Sequence, residues 1–524
     1  MGRISLFLLL VLCLAGARAE EARGVVWLDR NGNGQRDADE PGVAGVKLSN
    51  GREIAVTDAE GNYHLPLRAG DTLFVIKPAG HAFATGRDGL PVFWRHHFPN
   101  GSPPLRYGGI AAETANRADF ALRPETADDD TLEVLVFGDP QPKSLTEVGY
   151  YAHDIVAPLQ HDPRARLGLT LGDVVDDDLS LYPAMNAVTA RLGIPWLHAA
   201  GNHDIDFDAG RDEDSLLTFR SHFGPDSFAW EEARASFIVL DNVVYRPGQR
   251  PAYIGGLRED QFVFLESYLP TLPKDRLLVV AAHIPFFDPD PARETFRRAD
   301  RERLFALLRD FPHVLLLSAH SHKQRHHFHG PADGWHGATP LHEYNVGAAC
   351  GGFWGGVKDA EGIPAAMMAD GTPNGYARLS VRAGGEYALR WFVARAPEDY
   401  TIALHAPKVL RRGAWPGVHV WANVFMGSDG DRVEVRIGDG EWRPMQRVER
   451  ADPRILAENL ADDAAEALRG YDRVPEAEVS THLWRLALPT DLPAGEHRIQ
   501  VRAFDRWRGE LRAETVYRLV EAEP

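Results

Sequence analysis

Five short apolar runs in the middle of this 524-residue chain each end in side chains of the types that ligate metals. Runs of this length bounded by Gly or Pro are typical of buried strands. In open α/β sheets, ligand-binding residues collect beyond the carboxyl ends of the strands. The pattern therefore predicts a layered α/β core with one polar rim. The residues that close the runs are Asp139 and Gln141, Asp173, Asn202 with His203 and Asp204, His283, and His320 with His322.

The stretch Gly201-Asn202-His203-Asp204 combines two chemical abilities. The Asn202 amide offers a neutral carbonyl oxygen that can bind a metal, and the His203 imidazole can hold or donate a proton near neutral pH. Alone, the same four residues are equally typical of an Asn-containing turn with a capping Asp. The four other blocks favour a chemical site over a simple turn.

The five blocks resemble, in this order between residues 139 and 322, the signature of the calcineurin-like metallophosphoesterases. That signature is Asp-x-His, Gly-Asp-x-x-Asp, Gly-Asn-His-Asp/Glu, a lone His and Gly-His-x-His. Two positions depart from it, because Gln141 stands where many members have His and Ala319 replaces the Gly before the paired histidines. Neither change removes a ligand, since the Gln141 amide supplies a carbonyl oxygen in place of a nitrogen.

The resemblance implies a four-layer α/β/β/α core that holds two divalent transition metal ions of the Mn, Fe or Zn class. It implies hydrolysis of phosphate mono- or diesters by in-line attack of a metal-bound hydroxide. Asp173 would bridge the two ions. The remaining ligands would be Asp139, Gln141 and His322 for one ion, and Asn202, His283 and His320 for the other.

The residue after the Asn202 ligand is held at the rim without being a ligand itself. The family assigns this residue, His203, to protonating the leaving group, with Asp204 orienting the ring. We expect Asp176 either to support a metal ligand or to be structural, and the next two acidic residues to lie in a solvated loop. The histidines at 326, 327 and 329 suggest a further metal site, but their alternation with aromatic residues is more typical of an exposed strand.

The glycine-rich segment 347–356 contains Cys350, Phe353 and Trp354. Its glycines permit close backbone approach, and we expect the two aromatic rings to form a substrate wall by stacking on a base or covering a lipid or sugar. The alternative is a packed glycine turn beneath the site. Small neighbours favour a packed Cys350 thiol over a reactive one.

The first 19 residues have the pattern of a secretory signal peptide. A basic start is followed by apolar residues 4–14 and by Ala17-Arg18-Ala19, which matches an Ala-x-Ala cleavage site. This apolar run is too short to span a bilayer, so we expect a periplasmic or secreted protein without a transmembrane segment in the mature chain. Cleavage also removes Cys13, which leaves Cys350 without a partner for an intramolecular disulfide.

Charge and motif content limit the expected partners. Cleavage leaves 55 of the 57 basic residues against 75 acidic ones, so no nucleic-acid polymer is expected to bind. The resemblance implies a small phosphoester substrate, while the motifs leave its identity and the oligomeric state open.

Composition predicts two β-rich domains around the core. Short β-type runs broken by Gly, Pro and Asn indicate a β-sandwich at 20–125. The core is expected at 131–395, with helices at 145–159, 181–192, 258–269 and 292–309. A C-terminal β-domain, expected at 396–524 with a helix at 455–469, resembles the β-sandwich appended to some exported members of the family.

A loop in the N-terminal domain has the spacing of a calcium site. Numbered from Asp29, oxygen-bearing side chains occupy positions 1, 3, 5, 9 and 12, with Gly at position 6. These residues are Asp29, Asn31, Asn33, Asp37 and Glu40. Flanking β-type runs make the loop resemble the calcium-binding B-type repeats of bacterial surface adhesins. One structural calcium and a solvated Asx-turn are the two interpretations.

The calcium loop and the flanking β-domains suggest an alternative from another class, a non-catalytic calcium-stabilised surface or adhesion module. Binding alone would not require seven transition-metal ligands followed by His203. The sequence therefore favours the enzyme over the adhesion module.

Overall fold

The computed structural model describes residues 20–125, 130–160, 162–290 and 292–522. The predicted signal peptide, residues 1–19, lies outside these ranges. Two central sheets with helices are preceded and followed by β-rich regions, which confirms the predicted α/β fold class. Within the described ranges, no helix combines the length and apolar character needed to cross a bilayer.

The N-terminal region consists of two four-stranded sheets with the orders β4-β1-β8-β6 and β3-β2-β5-β7. Buried side chains from both sheets, including Val26, Leu48 and Phe74, belong to one apolar core. The strands are β1 Glu20–Leu28, β2 Lys47–Ser49, β3 Ile54–Val56, β4 Asn62–Leu67, β5 Thr72–Val75, β6 His81–Phe83, β7 Trp94–His96 and β8 Phe120–Pro124.

The central region contains the two sheets that carry the predicted site. Its strands are β9 Thr131–Phe137, β10 Ala165–Leu171, β11 Trp196–Ala199, β12 Phe228–Glu231, β13 Ala235–Val239, β14 Val243–Tyr245, β15 Tyr253–Gly255, β16 Leu277–Ala281, β17 Val314–Ser318, β18 Arg325–His329, β19 Leu341–Asn345, β20 Gly375–Arg382 and β21 Tyr387–Val393. The sheet orders are β11-β10-β9-β20-β21 and β12-β13-β16-β17-β19-β18, and β14 and β15 form a separate hairpin. Strands β9 to β11 run parallel to one another, as do β13, β16, β17 and β19.

Among the described residues, the α-helices that accompany these sheets are α1 Leu145–Tyr151, α2 Tyr182–Thr189, α3 Leu217–Phe223, α4 Glu259–Tyr268 and α5 Arg298–Leu308. α1 packs against α2, and α4 packs against α5. Parallel strands need crossover connections, and helices between the strands provide several of them. The helical connections leave the carboxyl ends of β9, β10 and β11 together at one edge.

The C-terminal region forms a second apolar core that includes Val420, Trp484 and Val501. Its two sheets have the orders β22-β24-β28-β27 and β23-β30-β29-β25-β26. The elements are β22 Ile402–His405, β23 Val409–Arg411, β24 His419–Val424, β25 Val433–Ile437, β26 Arg443–Pro444, β27 Gln446–Ala451, α6 Pro453–Asp463, β28 Val479–Ala487, β29 Gly495–Asp505 and β30 Gly509–Val520.

Two predicted helices are shorter in the structure. The helix expected at 292–309 begins at Arg298, because the Asp288 carboxylate accepts hydrogen bonds from the backbone N–H groups of Thr295 and Phe296 and holds them in a loop. The helix expected at 455–469 is α6, which starts at Pro453 behind the Asp452 cap and ends at Asp463. Local side-chain hydrogen bonds thus set ends that apolar periodicity does not show.

We expect Gly168→Ala to destabilise the strand that leads to Asp173. A Cβ at Gly168 would lie 1.9 Å from the Trp196 ring, whose indole N–H donates a 2.8 Å hydrogen bond to Thr170. Overpacking of this kind costs about 1–3 kcal/mol, so the midpoint of thermal unfolding should fall. Gly149→Ala is the control, because a Cβ there meets open space in α1 and alanine favours a helix. An unchanged midpoint for Gly168→Ala would contradict this packing.

Candidate metal centre

The predicted metal ligands lie where strands of the two core sheets end. Asp139, Asp173 and Asn202 follow β9, β10 and β11, which are neighbours in the first sheet. His283 and His320 follow β16 and β17, which are neighbours in the second sheet. Gly138 pairs with Ala348 in an isolated bridge after β9. The rim predicted from the apolar runs is therefore present.

Three of the predicted ligands surround a fourth, His283. Its Nε2 atom lies 3.0 Å from the Asn202 Oδ1, 3.1 Å from the His320 Nδ1 and 3.3 Å from the Asp173 Oδ2. The other ring nitrogen lies 2.8 Å from the carbonyl oxygen of Leu171. A backbone carbonyl that accepts from one imidazole nitrogen leaves the second free for a metal.

The other predicted ligands adjoin this group. Asp139 accepts hydrogen bonds of 3.1–3.2 Å from the backbone N–H of His320, and its Oδ1 lies 3.7 Å from the His322 Nε2. The His322 Nδ1 lies 2.9 Å from the carbonyl oxygen of Gly351, which again leaves Nε2 free to bind a metal. Gln141 donates its backbone N–H to the Asp173 carbonyl oxygen.

The amide of Gln141 is oriented as an oxygen ligand would be. Its nitrogen donates a 3.0 Å hydrogen bond to the Asp176 carboxylate. Its carbonyl oxygen is buried and has no hydrogen-bond partner among the described residues. A buried oxygen left without a partner costs free energy, and a divalent cation would satisfy it. The substitution of Gln for the family's His therefore fits a metal site.

Backbone strain is concentrated at this rim. Five of the seven predicted ligands have φ angles between 41° and 68°, a region that non-glycine residues seldom occupy. Each such conformation costs of order 1 kcal/mol and persists where the surroundings impose it. The five residues are Asp139, Gln141, Asp173, His320 and His322.

The pKa values of the buried acids and of His283 are strongly shifted from their usual values. Burial raises the pKa of Asp139 to about 8. Burial lowers the pKa of His283, but the Asp173 and Asp139 carboxylates outweigh it and raise this pKa to about 9. Burial also acts to raise the pKa of Asp173, but the nearby histidine charges bring it below its usual value. Divalent cations would supply the positive charge that His283 carries here and free its Nε2 as a ligand.

The remaining two histidines are already in the form that binds metals. Burial lowers the pKa of His320 to about 3 and that of His322 to about 4. Both imidazoles are therefore neutral at pH 7 and present a lone pair. Carboxylate, amide and imidazole donors together suit first-row divalent ions. The donor set fits two such ions.

His203 stands beside the centre and is held by two acidic residues. Its Nδ1 lies 2.8 Å from the Asp177 Oδ1 and 3.1 Å from the Asp176 Oδ1. Its backbone N–H donates to the Asp173 Oδ1 at 2.8 Å. Burial lowers the pKa of the ring, but the hydrogen bond that the ring donates to Asp177 and the charges of the nearby carboxylates raise it to about 9. The imidazole is therefore protonated near neutral pH.

The prediction that Asp204 orients the His203 ring is wrong. The buried Asp204 carboxylate accepts hydrogen bonds from the backbone N–H groups of Gly201 and Val174 and from the Tyr182 hydroxyl. These three bonds tie the loop after β11 to the loop after β10, so Asp204 is a brace for the rim. Asp177, expected in a solvated loop, contacts the ring in its place.

The sequence contains a weak signal for this arrangement, although the motifs themselves miss it. Residues 176–178 are consecutive acidic residues that closely follow a strand end occupied by a predicted ligand. Any side chain within a few residues of such an end can reach the rim. Lys143, also missed, lies there too, with its ammonium 3.6 Å from the Asp176 carboxylate.

The two aromatic residues of the predicted substrate wall differ. Phe353 is 42% exposed, and its ring centroid lies 4.5 Å from that of His322. Trp354 is fully buried and donates its indole N–H to the Pro140 carbonyl oxygen at 2.9 Å. The prediction that Trp354 contacts substrate is therefore wrong, whereas that for Phe353 stays a prediction. Cys350 is buried, as the packed-thiol interpretation expected.

The predicted calcium loop lies between β1 and the following turn, apart from the centre. Asn31 and Asn33 accept hydrogen bonds from backbone N–H groups two residues ahead, and the Asp29 carboxylate accepts one from Gly34. Both Glu40 carboxylate oxygens accept from backbone N–H groups, and Asp37 accepts from the Asn31 amide. These contacts suit a hydrogen-bonded Asx-turn loop, and calcium binding stays a prediction.

Comparison with known proteins gives a consistent set of family matches. The chain matches the N-terminal model of the calcineurin-like phosphoesterases over residues 30–124, the calcineurin-like phosphoesterase model over 132–324 and the C-terminal model over 343–510. No curated protein matches the chain.

Two solved structures are similar to parts of the chain. Purple acid phosphatase PPD1 from yellow lupin (Lupinus luteus) seeds is 12% identical with a TM-score of 0.38, and the match covers 71% of this chain and 67% of that one. A dimetal phosphatase from Danio rerio is 14% identical with a TM-score of 0.32, and the match covers 50% of this chain and 99% of that one.

We expect Asp177→Asn to lower the pKa of His203 by about one unit, because the substitution removes the charge that its Nδ1 contacts. Asn tolerates the left-handed backbone at this position, where φ is 62°. The measurement is an NMR titration of the His203 ring in the full chain. Asp178→Asn is the matched control, since Asp178 instead accepts hydrogen bonds from Ser180. Equal pKa values in the wild type and Asp177→Asn would contradict the assignment.

Proposed function

The chain belongs to the calcineurin-like phosphoesterase family and is a metal-dependent hydrolase of phosphoric esters, and we propose that it is an exported enzyme that cleaves phosphate mono- or diesters at a dinuclear centre. The observation that carries the proposal is the convergence of seven ligand-type side chains from both core sheets, five of them on strained backbone. Strain of this kind is retained where function requires it.

The residues assigned to the two ions follow the family pattern. When bound, two divalent cations would activate the attacking water and neutralise the phosphoryl oxygens. The bridging carboxylate would be Asp173. The residues that would complete the two sites are Asp139, Gln141 and His322 for one ion, and Asn202, His283 and His320 for the other.

His203 is proposed as the general acid that protonates the leaving oxygen. Its Nδ1 is engaged by Asp177 and Asp176, so Nε2 is the atom that can give up a proton. The raised pKa keeps the ring protonated through neutral pH, which the role requires. The side chain is 29% exposed, so a substrate can reach it.

The substrate side of the rim combines a cation with an aromatic ring. The Lys143 ammonium lies 5.1 Å from the centroid of the Phe353 ring. We assign Lys143 to attracting the anionic phosphoryl group and Phe353 to covering the ester substituent. This combination suits a small phosphoester with an apolar or flat substituent.

Export is part of the proposal and rests on the sequence of residues 1–19. Family membership and the full ligand set argue against the alternative of a non-catalytic calcium-stabilised surface or adhesion module. The calcium loop is compatible with the enzyme, because a filled structural site would brace the N-terminal region without taking part in chemistry.

We expect Asp173→Ala to abolish hydrolysis, since both ions would lose their shared ligand. The assay uses a chromogenic phosphate mono- or diester after chelation and restoration of manganese. The loss should exceed about a hundredfold in kcat/KM and be accompanied by loss of bound manganese. Asp310→Ala, at a carboxylate whose side chain is 71% exposed, is the control and should retain both. Full activity in Asp173→Ala, or an inactive manganese-loaded wild type, would overturn the proposal.

We expect His203→Ala to keep its bound metals and to lose rate most with poor leaving groups. A general acid matters most where the leaving oxygen is strongly basic. The measurement compares kcat/KM for aryl esters with good leaving groups against alkyl esters with poor ones, together with metal content. An equal loss on all esters would exclude the acid role.

A further inference from the structure

Three metal-binding side chains that the proposed function does not use lie at the edge of the second core sheet. His327 and His329 occupy alternate positions on the edge strand β18, so they share one face. Asp333 ends the 3₁₀ turn Pro331–Asp333 that follows this strand. The turn folds the carboxylate back towards the two rings.

The three groups are close enough to share one ion. The Asp333 Oδ2 lies 3.6 Å from the His327 Nε2 and 3.9 Å from the His329 Nδ1, and the three possible ligand atoms lie within 4.8 Å of one another. Zinc with bonds of about 2.0–2.1 Å in a tetrahedral site places its ligand atoms about 3.4 Å apart. Small side-chain rotations would reach this geometry.

Both imidazole nitrogens that face this space are unsatisfied. The His327 Nε2 and the His329 Nδ1 are buried and have no hydrogen-bond partner among the described residues. The His329 side chain is completely buried. A buried polar atom without a partner costs about 1–3 kcal/mol. A bound ion would remove this cost at two atoms at once.

The opposite nitrogen of His329 is fixed by a buried carboxylate. Its Nε2 lies 2.7 Å from the Glu343 Oε2. A carboxylate accepts hydrogen bonds, so Nε2 carries the proton and Nδ1 presents its lone pair. Carboxylates hold metal-binding histidines in this way. The other oxygen of Glu343 accepts from the Ser318 hydroxyl and the Phe286 backbone N–H, which anchors it.

A simple ion pair explains the cluster less well. If His329 were paired with Asp333 directly, the charge-assisted hydrogen bond would be about 2.7–2.9 Å long, but the separation is 3.9 Å. The gap between the three groups is of the size that an ion occupies. The side chains of His327 and Asp333, which border the gap, are 22% and 28% exposed.

We propose that His327, His329 and Asp333 bind one divalent ion of the zinc class, separate from the dinuclear centre. Two imidazoles and one carboxylate favour zinc over calcium or magnesium. Three protein ligands leave a fourth position for water or a small anion. The ion would tie the edge strand β18 to the turn that follows it. Through Glu343 it would also support Ser318 and Phe286, which flank the predicted ligands His320 and His283.

The test measures metal binding in a full-length chain whose dinuclear centre is disabled by Asp173→Asn. After chelation, we expect this parent to bind one equivalent of Co²⁺ with a visible absorption spectrum typical of low-coordinate cobalt. Zinc should displace the cobalt and raise the midpoint of thermal unfolding. This readout does not depend on hydrolysis, so its failure is distinguishable from failure of the proposed function.

The variants His327→Ala and Asp333→Ala are compared in that parent, because both side chains are partly exposed and tolerate truncation better than His329. Each should weaken Co²⁺ binding at least about tenfold and abolish the stabilisation by zinc. His336→Ala is the control, since this nearby histidine is exposed and outside the cluster. Binding and stabilisation equal to those of the parent in both variants, or no Co²⁺ bound by the parent, would overturn the proposal.

Discussion

The burial of two carboxylates at one rim is the constraint on which the rest of the structure depends. Asp139 and Asp173 are almost completely inaccessible to solvent, and each disfavours the negative charge of the other. Buried charges require compensation from nearby opposite charge. The surrounding residues provide two protonated imidazoles, His283 and His203, and the other donors at the rim are neutral. Two divalent cations would take over this compensation, and they would explain why so many donors point to the same place.

The surroundings of the rim are built to keep these groups in place. A Cβ at Gly201 would lie 2.1 Å from the Asp173 Oδ1, so only glycine permits this approach. The C-terminal region contributes as well. The buried Asp370 accepts a 2.8 Å hydrogen bond from the backbone N–H of Gln324 and lies 3.1 Å from the His482 Nε2 on β28. The loop that carries His322 is thereby joined to the C-terminal sheets.

Much of the fold and of the centre could be predicted because apolar runs record strand burial directly. The apolar runs that precede Asn202 and His320 are the strands Trp196–Ala199 and Val314–Ser318 in the structure. The errors concern side-chain direction, which one sequence does not contain. Asp204 is adjacent to His203 in the chain, yet it faces Tyr182. Trp354 packs inward beside the exposed Phe353. His329 is buried because the turn after β18 and Glu343 on β19 enclose it. The alternation of residues along β18 shows neither of these contacts.

The most direct test of the dinuclear centre is anomalous X-ray diffraction from crystals of the manganese-loaded wild type, recorded at the metal absorption edge. We expect two peaks about 3.5–4 Å apart, with the Asp173 carboxylate between them and Asn202 and Gln141 each contacting one peak. A single peak, or peaks that none of the seven predicted ligands contacts, would contradict the centre described here.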